Sequence, residues 1–346
     1  MKRFVFITVV FSATMTAIMP HLAIAASKLT TDEQLILRHL EQIQPDFSIN
    51  VKTSSATLLD HELKAAVQAD TYLQMDISSY QFELAGTYAT FQVDYRENKS
   101  QYNDVLRGAQ LVVKKLIKPG MDVYTKEKIL HDYVVLNTAY DISLTHYTAY
   151  DALYEHTATC QGYAMLTYQL LKAAGIPNIL ISGTATNSLG TASHAWNEVD
   201  LNGKWYQLDT TWDDPVPNQP GSVQYGYFNL TTAQMEKDHH WSLAGLPIAN
   251  TNYVQVLNQS NNKQEKQILQ QTGLFAELPN DTYQSISTLQ SSLIKANLRK
   301  GQSYLVRIPY ANISQLTSLA LPYAISYRYT RDTRNPSYAL LTIIVQ

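Results

Sequence analysis

The sequence predicts a protein of the α+β class, because helical and strand-like patterns alternate irregularly along its 346 residues. An Asn202-Gly203 pair between two strand-like segments predicts an antiparallel hairpin. A segment with apolar residues at helical spacing begins directly at Cys160. With 45% apolar and 16% charged residues, the chain has the composition of a folded globular protein, which excludes disordered, collagen-like and multi-pass membrane proteins.

The N-terminus has the pattern of a secretory signal peptide. Lys2 and Arg3 precede a long apolar run, and the small-residue cleavage site Ala23-Ile24-Ala25 follows. We therefore assign residues 1–25 to a cleaved signal peptide; an uncleaved anchor helix is the alternative. The mature chain is expected to be secreted, or to be held noncovalently at the cell surface, with no membrane span after cleavage.

Charge and cysteine content restrict the partners of the protein. The net charge is −3 and no basic cluster is present in the sequence, which argues against nucleic acid or anionic lipid as a partner. Cys160 is the single cysteine of the chain and has no partner for a disulfide within it. In an exported protein such a thiol is a buried apolar residue, one half of an intermolecular bridge, or a reactive group.

Residues 26–120 are predicted to form an N-terminal α+β region. The sequence Thr31-Asp32-Glu33-Gln34 has the spacing of a capping box, so a helix should open the mature protein. The elements expected after it are a strand over 47–51, a helix over 58–69, two strands within 80–95 that break near Gly86, and a helix over 101–117.

Residues 121–248 carry the strongest functional signals. A helix is expected over 125–136, and a second one runs from Cys160 to a stop at Gly175. The unpaired N–H groups of a first helical turn favour a negatively charged thiolate and can stabilise an oxyanion. Cys160 is therefore a candidate nucleophile. The backbone N–H of Gln161 is a candidate for the oxyanion site, and its side chain either lines the site or is solvated.

A candidate base and its orienting partner lie on the two strands of the hairpin. If Asn202-Gly203 forms a two-residue loop, His194 opposes Thr211 and Trp196 opposes Asp209. His194 and Asp209 then project from the same face as diagonal neighbours, about 7–8 Å apart at the backbone. A carboxylate can reach an imidazole across that gap. A shift of one residue would place the two side chains on opposite faces.

Other residues near these candidates give weaker signals. Trp196, Trp205 and Trp212 either wall a cleft or fill the core. Asp213-Asp214 supplies too few convergent oxygens for a calcium site, and a capped turn is the preferred interpretation. His239-His240 has no ligand partner at the spacing of a zinc site. We therefore expect neither a metal nor a cofactor.

Three ordered motifs resemble the core of bacterial transglutaminase-like proteins, a branch of the papain-like cysteine-enzyme superfamily. They are Cys160-Gln161-Gly162-Tyr163-Ala164, Ser193-His194-Ala195-Trp196-Asn197 and the segment 205–215. The resemblance implies Cys160 as nucleophile, His194 as general base and Asp209 as orienter. It also implies a papain/transglutaminase-like core, in which the helix with the cysteine packs on an antiparallel sheet. Cross-linking transferases, proteases, amidases and catalytically silent scaffolds all occur in this superfamily.

The sequence thus predicts an exported cysteine enzyme that acts on peptide or protein amides through a thioester on Cys160. Transglutaminase-like cross-linking is preferred on the resemblance, and hydrolysis of the same bond by a peptidase or amidase is the alternative. A catalytically silent cell-surface binding module is the second alternative, and the complete Cys/His/Asp set argues against it. The expected partner is a peptide or protein, with the cell envelope as one source.

Residues 249–346 are predicted to form a small C-terminal α+β region. The segment 250–266 is rich in Asn and Gln with little periodicity, which predicts a surface linker. Helix-like and strand-like segments then follow, at 285–298, 303–308, 313–319 and 338–345. No motif in this region predicts a function.

Overall fold

A computed structural model describes residues 6–9, 29–215, 219, 221–278, 282–296, 298–332 and 334–346. The chain divides into two units. The first comprises Met1–Val223 and Phe228–Thr251, and the second comprises Gln224–Tyr227 and Asn252–Gln346. Both units combine helices with antiparallel sheets, so the fold class is α+β, as the sequence predicts.

The N-terminal part of the first unit is a four-stranded antiparallel sheet covered by helices. The strands are β1 (Phe6–Val9), β2 (Asp46–Asn50), β3 (Ile77–Ala85) and β4 (Tyr88–Tyr95). They pair in the order β1-β3-β4-β2. The helices are α1 (Thr31–Glu41), α2 (Ala56–Gln68), α3 (Thr71–Asp76) and α4 (Lys99–Leu116). The helices and strands predicted for this region are therefore confirmed to within a few residues, and α3 was not predicted.

The first helix begins one residue earlier than the capping box predicts. The Thr30 hydroxyl accepts a hydrogen bond from the Glu33 N–H at 3.2 Å. The Glu33 carboxylate accepts one from the Thr30 N–H at 2.6 Å. The box is thus Thr30 with Glu33, and Gln34 instead donates to the Leu29 carbonyl. A carboxylate accepts the N-cap hydrogen bond more strongly than an amide does, which favours the earlier register.

The predicted signal peptide lies outside the described residues, apart from Phe6–Val9. These four residues pair antiparallel with β3. Among the described residues, no helix is long and apolar enough to cross a membrane.

The core of the N-terminal part forms where α1 and α2 cover the sheet. Ile36 and Leu40, four residues apart on α1, are fully buried because this spacing brings both side chains to one face. Phe47 and Ile49 alternate with exposed residues on β2, as a strand with one covered face requires. The Phe47 ring stacks on Phe91 of β4 at 4.7 Å between centroids.

The part that holds the candidate site packs one buried helix on a second antiparallel sheet. Its elements are α5 (Val123–Asn137), β5 (Ala139–Tyr140), a π-helical turn (Asp151–Glu155), β6 (Thr157–Ala158), α6 (Cys160–Ala173), β7 (Asn178–Asn187), β8 (Gly190–Asp200), β9 (Trp205–Leu208), α7 (Thr232–Met235) and β10 (His239–His240). The sheet order is β10-β7-β8-β9. Helix α6 packs on β7 and β8, which is the arrangement that the resemblance implies.

The β8–β9 hairpin has the predicted two-residue loop. Asp200 pairs with Trp205, and the ladder continues to the pair of Asn197 with Leu208. Asn202 and Gly203 have φ values of 59° and 77°, the left-handed backbone that an Asn-Gly hairpin turn requires. The turn chemistry alone therefore fixes the register of these two strands.

The ladder ends earlier than expected, so two predicted pairs do not form. Asn197 with Leu208 is the last pair of this ladder, and His194 does not face Thr211 nor Trp196 face Asp209 across it. The reason is that the Asp209 carboxylate accepts hydrogen bonds from the N–H groups of Thr211 and Trp212, at 2.9 and 3.1 Å. These bonds turn the chain away from the sheet.

The second unit is a three-stranded antiparallel sheet with helices. Its elements are α8 (Tyr253–Gln259), α9 (Lys263–Thr272), a 3₁₀ helix (Leu274–Glu277), α10 (Ile286–Ala296), β11 (Ser303–Pro309), a second 3₁₀ helix (Tyr310–Ser318), β12 (Ile325–Arg331) and β13 (Tyr338–Val345). The sheet order is β11-β13-β12. Its core joins apolar residues of α10 to those of β11 and β13.

The predicted linker over 250–266 is wrong, because α8 and most of the first turn of α9 occupy it. The Asn252 and Asn262 side chains cap the two helices by accepting hydrogen bonds from Gln255 and Gln264 N–H groups, each at 2.9 Å. Asparagine thus marks helix starts here rather than a loop. In the tail, the segments predicted at 285–298, 303–308 and 338–345 correspond to α10, β11 and β13. Most of the segment 313–319 lies in the second 3₁₀ helix, and β12, whose residues are nearly all exposed, was not predicted.

Helix α6 approaches the preceding segment closely at Gly162. A Cβ atom at this position would lie 2.6 Å from the Ala158 Cβ and 2.7 Å from the Thr148 carbonyl oxygen. Both contacts are shorter than van der Waals distance, and one involves backbone. Glycine is therefore required for the helix that begins at Cys160 to lie where it does.

We predict that Gly162→Ala lowers the free energy of unfolding by about 1–3 kcal/mol, because the added methyl group overpacks a rigid contact. Urea denaturation followed by circular dichroism measures the change. Lys172→Ala, at an exposed position of the same helix, should stay within about 0.5 kcal/mol of the unchanged protein. Equal stabilities of the two variants would contradict the close approach.

Candidate active site

The thiol of Cys160 lies at the N-terminus of α6, where the helix dipole favours a negative charge. Its exposed fraction is 8%. Thr159 occupies the N-cap position and makes no side-chain hydrogen bond to the first turn. The Gln161 side chain is buried and donates to the Met75 carbonyl at 2.9 Å. The expectation of a solvated Gln161 side chain is therefore wrong, and its amide anchors the start of α6 to α3.

His194 on β8 connects this thiol to a carboxylate. Its Nε2 lies 2.6 Å from Asp209 Oδ2, and the imidazole also interacts with Cys160. A carboxylate only accepts hydrogen bonds, so Nε2 carries a proton and donates it to Asp209. The other ring nitrogen, Nδ1, is then the atom available to the thiol. The structure thus brings together the three residues that the sequence singles out.

The charges around His194 stabilise its protonated form. Burial by itself would lower the pKa of the imidazole, but the negative charges of Asp209 and Cys160 and the hydrogen bonds to both outweigh burial and raise the pKa to about 10. His194 is therefore an imidazolium beside the Cys160 sulfur at neutral pH. This pairing favours the thiolate form of a cysteine.

Asp209 is fully buried and accepts hydrogen bonds from four donors. Its Oδ1 accepts from the turn N–H groups of Thr211 and Trp212, and its Oδ2 accepts from His194 and, at 3.1 Å, from His239 Nε2. Burial alone would raise the pKa of this carboxyl group, but both histidines hold it well below its usual range. The carboxylate is thus charged and fixed in orientation.

His239 belongs to this cluster, although sequence analysis assigned it no role. It lies on the two-residue strand β10, which pairs with β7, and its side chain is fully buried. Its Nδ1 lies 2.6 Å from Asp238 Oδ1. A strand of two residues has no periodicity, and His239 is 30 positions from Asp209. The adjacent histidines His239 and His240 were the signal available in the sequence.

Two of the three candidate tryptophans contact the histidine pair. The Trp196 ring stacks on His194 at 6.0 Å between centroids, and the half-buried Trp212 ring lies 5.6 Å from His194. The Trp196 indole donates to Gln207 at 2.7 Å, so this residue is both a core aromatic and a wall of the site. Trp205 is elsewhere. It lines a cavity of about 560 Å³ with Tyr168 and Lys172, and none of the triad residues lines this cavity.

Asp213 and Asp214 anchor the chain that follows Asp209 instead of binding a cation together. Asp213 accepts a hydrogen bond from His131 Nε2 at 3.1 Å, and Asp214 accepts one from the Tyr163 hydroxyl at 2.6 Å. Burial lowers the pKa of His131, but its hydrogen bonds to Asp132 and Asp213 outweigh burial and raise the pKa to about 9. A buried ion pair between His131 of α5 and Asp213 therefore fixes the segment that follows Asp209.

His194, Asp209 and His239 are the described residues close enough to share a metal ion. One ligand atom from each lies within 4.8 Å of the others. The absence of zinc-site spacing around His239 in the sequence therefore did not rule out a cluster of possible ligands. The fold brings His194 and Asp209 to His239 from distant positions in the chain. Both imidazoles point Nε2 at the same carboxylate oxygen at hydrogen-bond distance, so hydrogen bonding accounts for the arrangement. The absence of a metal stays a prediction.

Taken together, the groups reproduce the nucleophile, base and orienter arrangement of cysteine acyl-transfer enzymes. The thiol lies at a helix N-terminus, the imidazole contacts it, and the buried carboxylate fixes the imidazole. Such a site can form a thioester from an amide. It can then pass the acyl group to an amine or to water.

Comparison with known proteins agrees with this chemistry. Residues 110–210 match the family model of the transglutaminase-like superfamily. Kyphoscoliosis peptidase of Mus musculus is 33% identical over 70 residues, which are 18% of this chain and 11% of that protein. The protein of the same name in Homo sapiens matches over 70 residues with the same identity and the same shares of both chains. The chain thus matches about one tenth of the length of these curated relatives.

Solved structures show more distant similarity. A crystal structure of a TGase is 14% identical, with a TM-score of 0.30, over 48% of this chain and 50% of that one. The periplasmic domain of TgpA from Pseudomonas aeruginosa is 15% identical, with a TM-score of 0.25, over 42% of this chain and 65% of that one. Similarity at this level assigns no substrate.

We predict that His194→Ala slows alkylation of Cys160 by iodoacetamide at pH 7 by about tenfold or more, because the adjacent positive charge that favours the thiolate is lost. The smaller side chain widens access to the sulfur, so slower labelling would report charge and not exposure. Mass spectrometry follows the label on the single cysteine. His61→Ala, which removes an exposed histidine on α2, should label at the original rate. Labelling of Cys160 only after denaturation would contradict its role as a nucleophile.

Proposed function

Because residues 110–210 match the family model of the transglutaminase-like superfamily, we propose that the chain is an exported cysteine acyltransferase acting on peptide or protein amides. The observation that carries the proposal is the buried series Cys160, His194 and Asp209, in which the imidazole is hydrogen-bonded to the carboxylate and interacts with the thiol at the N-terminus of α6. In this series His194 is a cation and Asp209 is an anion, which are the states that acyl transfer requires of these two groups.

The first half of the reaction forms a thioester. The Cys160 thiolate attacks the carbonyl carbon of a substrate amide, and the carbonyl oxygen becomes an oxyanion. The C–N bond then breaks, and His194 gives its proton to the departing nitrogen, which leaves as ammonia or an amine. Asp209 keeps the His194 ring oriented while the imidazolium gives up its proton.

The start of α6 offers donors for the oxyanion. The backbone N–H groups of Cys160 and Gln161 lie in the first turn, at the positive end of the helix dipole. Because the Gln161 side-chain amide donates to the Met75 carbonyl, we assign the oxyanion contact to the Gln161 backbone N–H and not to this amide.

The second half releases the acyl group. A primary amine gives a proton to the neutral His194 and attacks the thioester, and the C–S bond breaks to return the thiolate and leave a new amide. Water entering by the same route gives a carboxylic acid. The identity of the acceptor therefore decides between cross-linking and hydrolysis.

Shelter of the site supports transfer. Cys160 and His194 have exposed fractions of only 8% and 5%, and the Trp196 and Trp212 rings lie against the imidazole. A site that limits water gives an amine bound from a protein surface the advantage. Hydrolysis is the second candidate, favoured by the similarity of one segment to a protein named a peptidase.

The proposed location outside the cell rests on the signal-peptide pattern of residues 1–25. There, peptides and proteins of the cell envelope offer both amide donors and primary amines. A catalytically silent binding module is disfavoured, because such a protein has no need to bury a charged Asp209 with four donors.

We predict that Asp209→Asn lowers kcat by about 10³- to 10⁴-fold while the protein remains folded, because an amide can place its NH₂ group toward His194 and favour the wrong tautomer. Turnover of a peptide amide substrate is measured. Asp200→Asn, in the hairpin turn outside the site, should leave kcat unchanged. A change of only a few-fold in the Asp209 variant would remove this carboxylate from the mechanism.

We predict that the mature protein incorporates a fluorescent primary amine into a glutamine-containing protein, with loss of ammonia, because the sheltered thioester meets the amine before water. Mass spectrometry and in-gel fluorescence follow the product. Cys160→Ser, which removes the thiol at nearly unchanged size, is the control and should give no product. Cys160-dependent peptide cleavage without incorporation, over a range of amine concentrations, would replace transfer by hydrolysis. If neither incorporation nor cleavage is detected, the result would favour the catalytically silent binding module.

A further inference from the structure

We propose that His239, supported by Asp238, is a positioning residue of this site that holds the Asp209 carboxylate against His194 and limits the basicity of His194. The inference rests on the proposed function, since it concerns the same catalytic imidazole. It adds two residues to the machinery, so that the series reads Cys160, His194, Asp209, His239 and Asp238.

The first observation is that His239 lies between two carboxylates. Its Nε2 is 3.1 Å from Asp209 Oδ2, and its Nδ1 is 2.6 Å from Asp238 Oδ1. Both partners are acceptors at these distances, so both ring nitrogens carry protons. His239 is therefore a cation that shares Asp209 Oδ2 with His194.

The surroundings of His239 fix this charge in place. Its side chain is fully buried, and the rings of Trp196 and Trp212 lie at 5.0 and 4.5 Å from its imidazole. The charged groups facing it are Asp209 from the end of β9, Asp238 beside it, and His194 from β8 at 5.2 Å between ring centroids. Burial lowers the pKa of His239, but the hydrogen bonds to Asp209 and Asp238 outweigh burial, so the pKa is raised overall. The positive charge of His194 reduces this increase.

The second observation is that the sheet makes room for this histidine. Gly183 on β7 lies directly opposite His194. A Cβ atom at Gly183 would lie 2.4 Å from the His240 carbonyl oxygen and 2.8 Å from the Trp196 ring. Strand β10 can therefore lie against β7, with His239 facing Asp209, only because residue 183 has no side chain.

The consequence is a division of the Asp209 charge between two imidazoles. One carboxylate oxygen accepts from both His194 and His239. The positive His239 reduces the negative potential that Asp209 exerts on His194. His194 then releases its proton more readily to the departing nitrogen than it would beside an unshared carboxylate.

The experiment separates charge from hydrogen bonding. His239→Gln keeps a donor near Nε2 and removes the charge, and Asp238→Asn removes the partner that keeps His239 protonated. Both variants should raise the pH at which His194 loses its proton by about 1 unit or more. ¹⁵N-histidine NMR titration measures this directly, without substrate. His240→Ala, which removes the exposed neighbour on the same strand, is the matched control and should titrate as the unchanged protein does.

The pH profiles of Cys160 alkylation and of kcat should shift in the same direction as the NMR titration. A purely structural role for His239 would lower kcat without moving either profile, and that result would overturn the inference. An unchanged or lowered His194 titration in both variants would overturn it as well. If His239→Gln fails to fold, Asp238→Asn decides. Because NMR and alkylation need no substrate, a protein that neither transfers nor hydrolyses refutes the proposed function and leaves this test intact.

Discussion

The site depends on one buried charge, the carboxylate of Asp209. Removing a carboxylate from water is costly unless hydrogen-bond donors replace the lost hydration. Four donors do so here, two from the turn that follows β9 and one each from His194 and His239. The end of the β9 ladder, the orientation of the His194 imidazole and the position of β10 all follow from satisfying this one group.

Close packing brings the nucleophile to that charge. Helix α6 is buried on nearly all sides, and the absence of a side chain at Gly162 lets it lie against the segment before it. Gly183 has the same function within the sheet, where β10 pairs with β7. In both places a methyl group would meet backbone at less than 3 Å. The triad is therefore positioned by rigid elements, which is what precise acyl transfer requires.

Carboxylate partners set the protonation states of the buried histidines. His194 and His131 are cations because each faces carboxylates, which outweigh the cost of burial. Burying a neutral imidazole costs less free energy than burying an imidazolium. The charged state of these histidines is therefore maintained by their carboxylate partners and not by solvent. Trp196 and Trp212 cover the His194 ring, and the resulting exclusion of water strengthens these interactions.

The sequence by itself determined what depends on local rules. Turn chemistry at Asn202-Gly203 set the register that places His194 and Asp209 on one side of the hairpin, and helix-stop and apolar spacing placed Cys160 at a helix start. Only tertiary structure decided the rest. His239 reaches Asp209 through a two-residue strand, and the buried amide of Gln161 reaches Met75 across 86 positions. Such contacts join segments distant in the chain, and neither periodicity nor capping residues encode which segments meet.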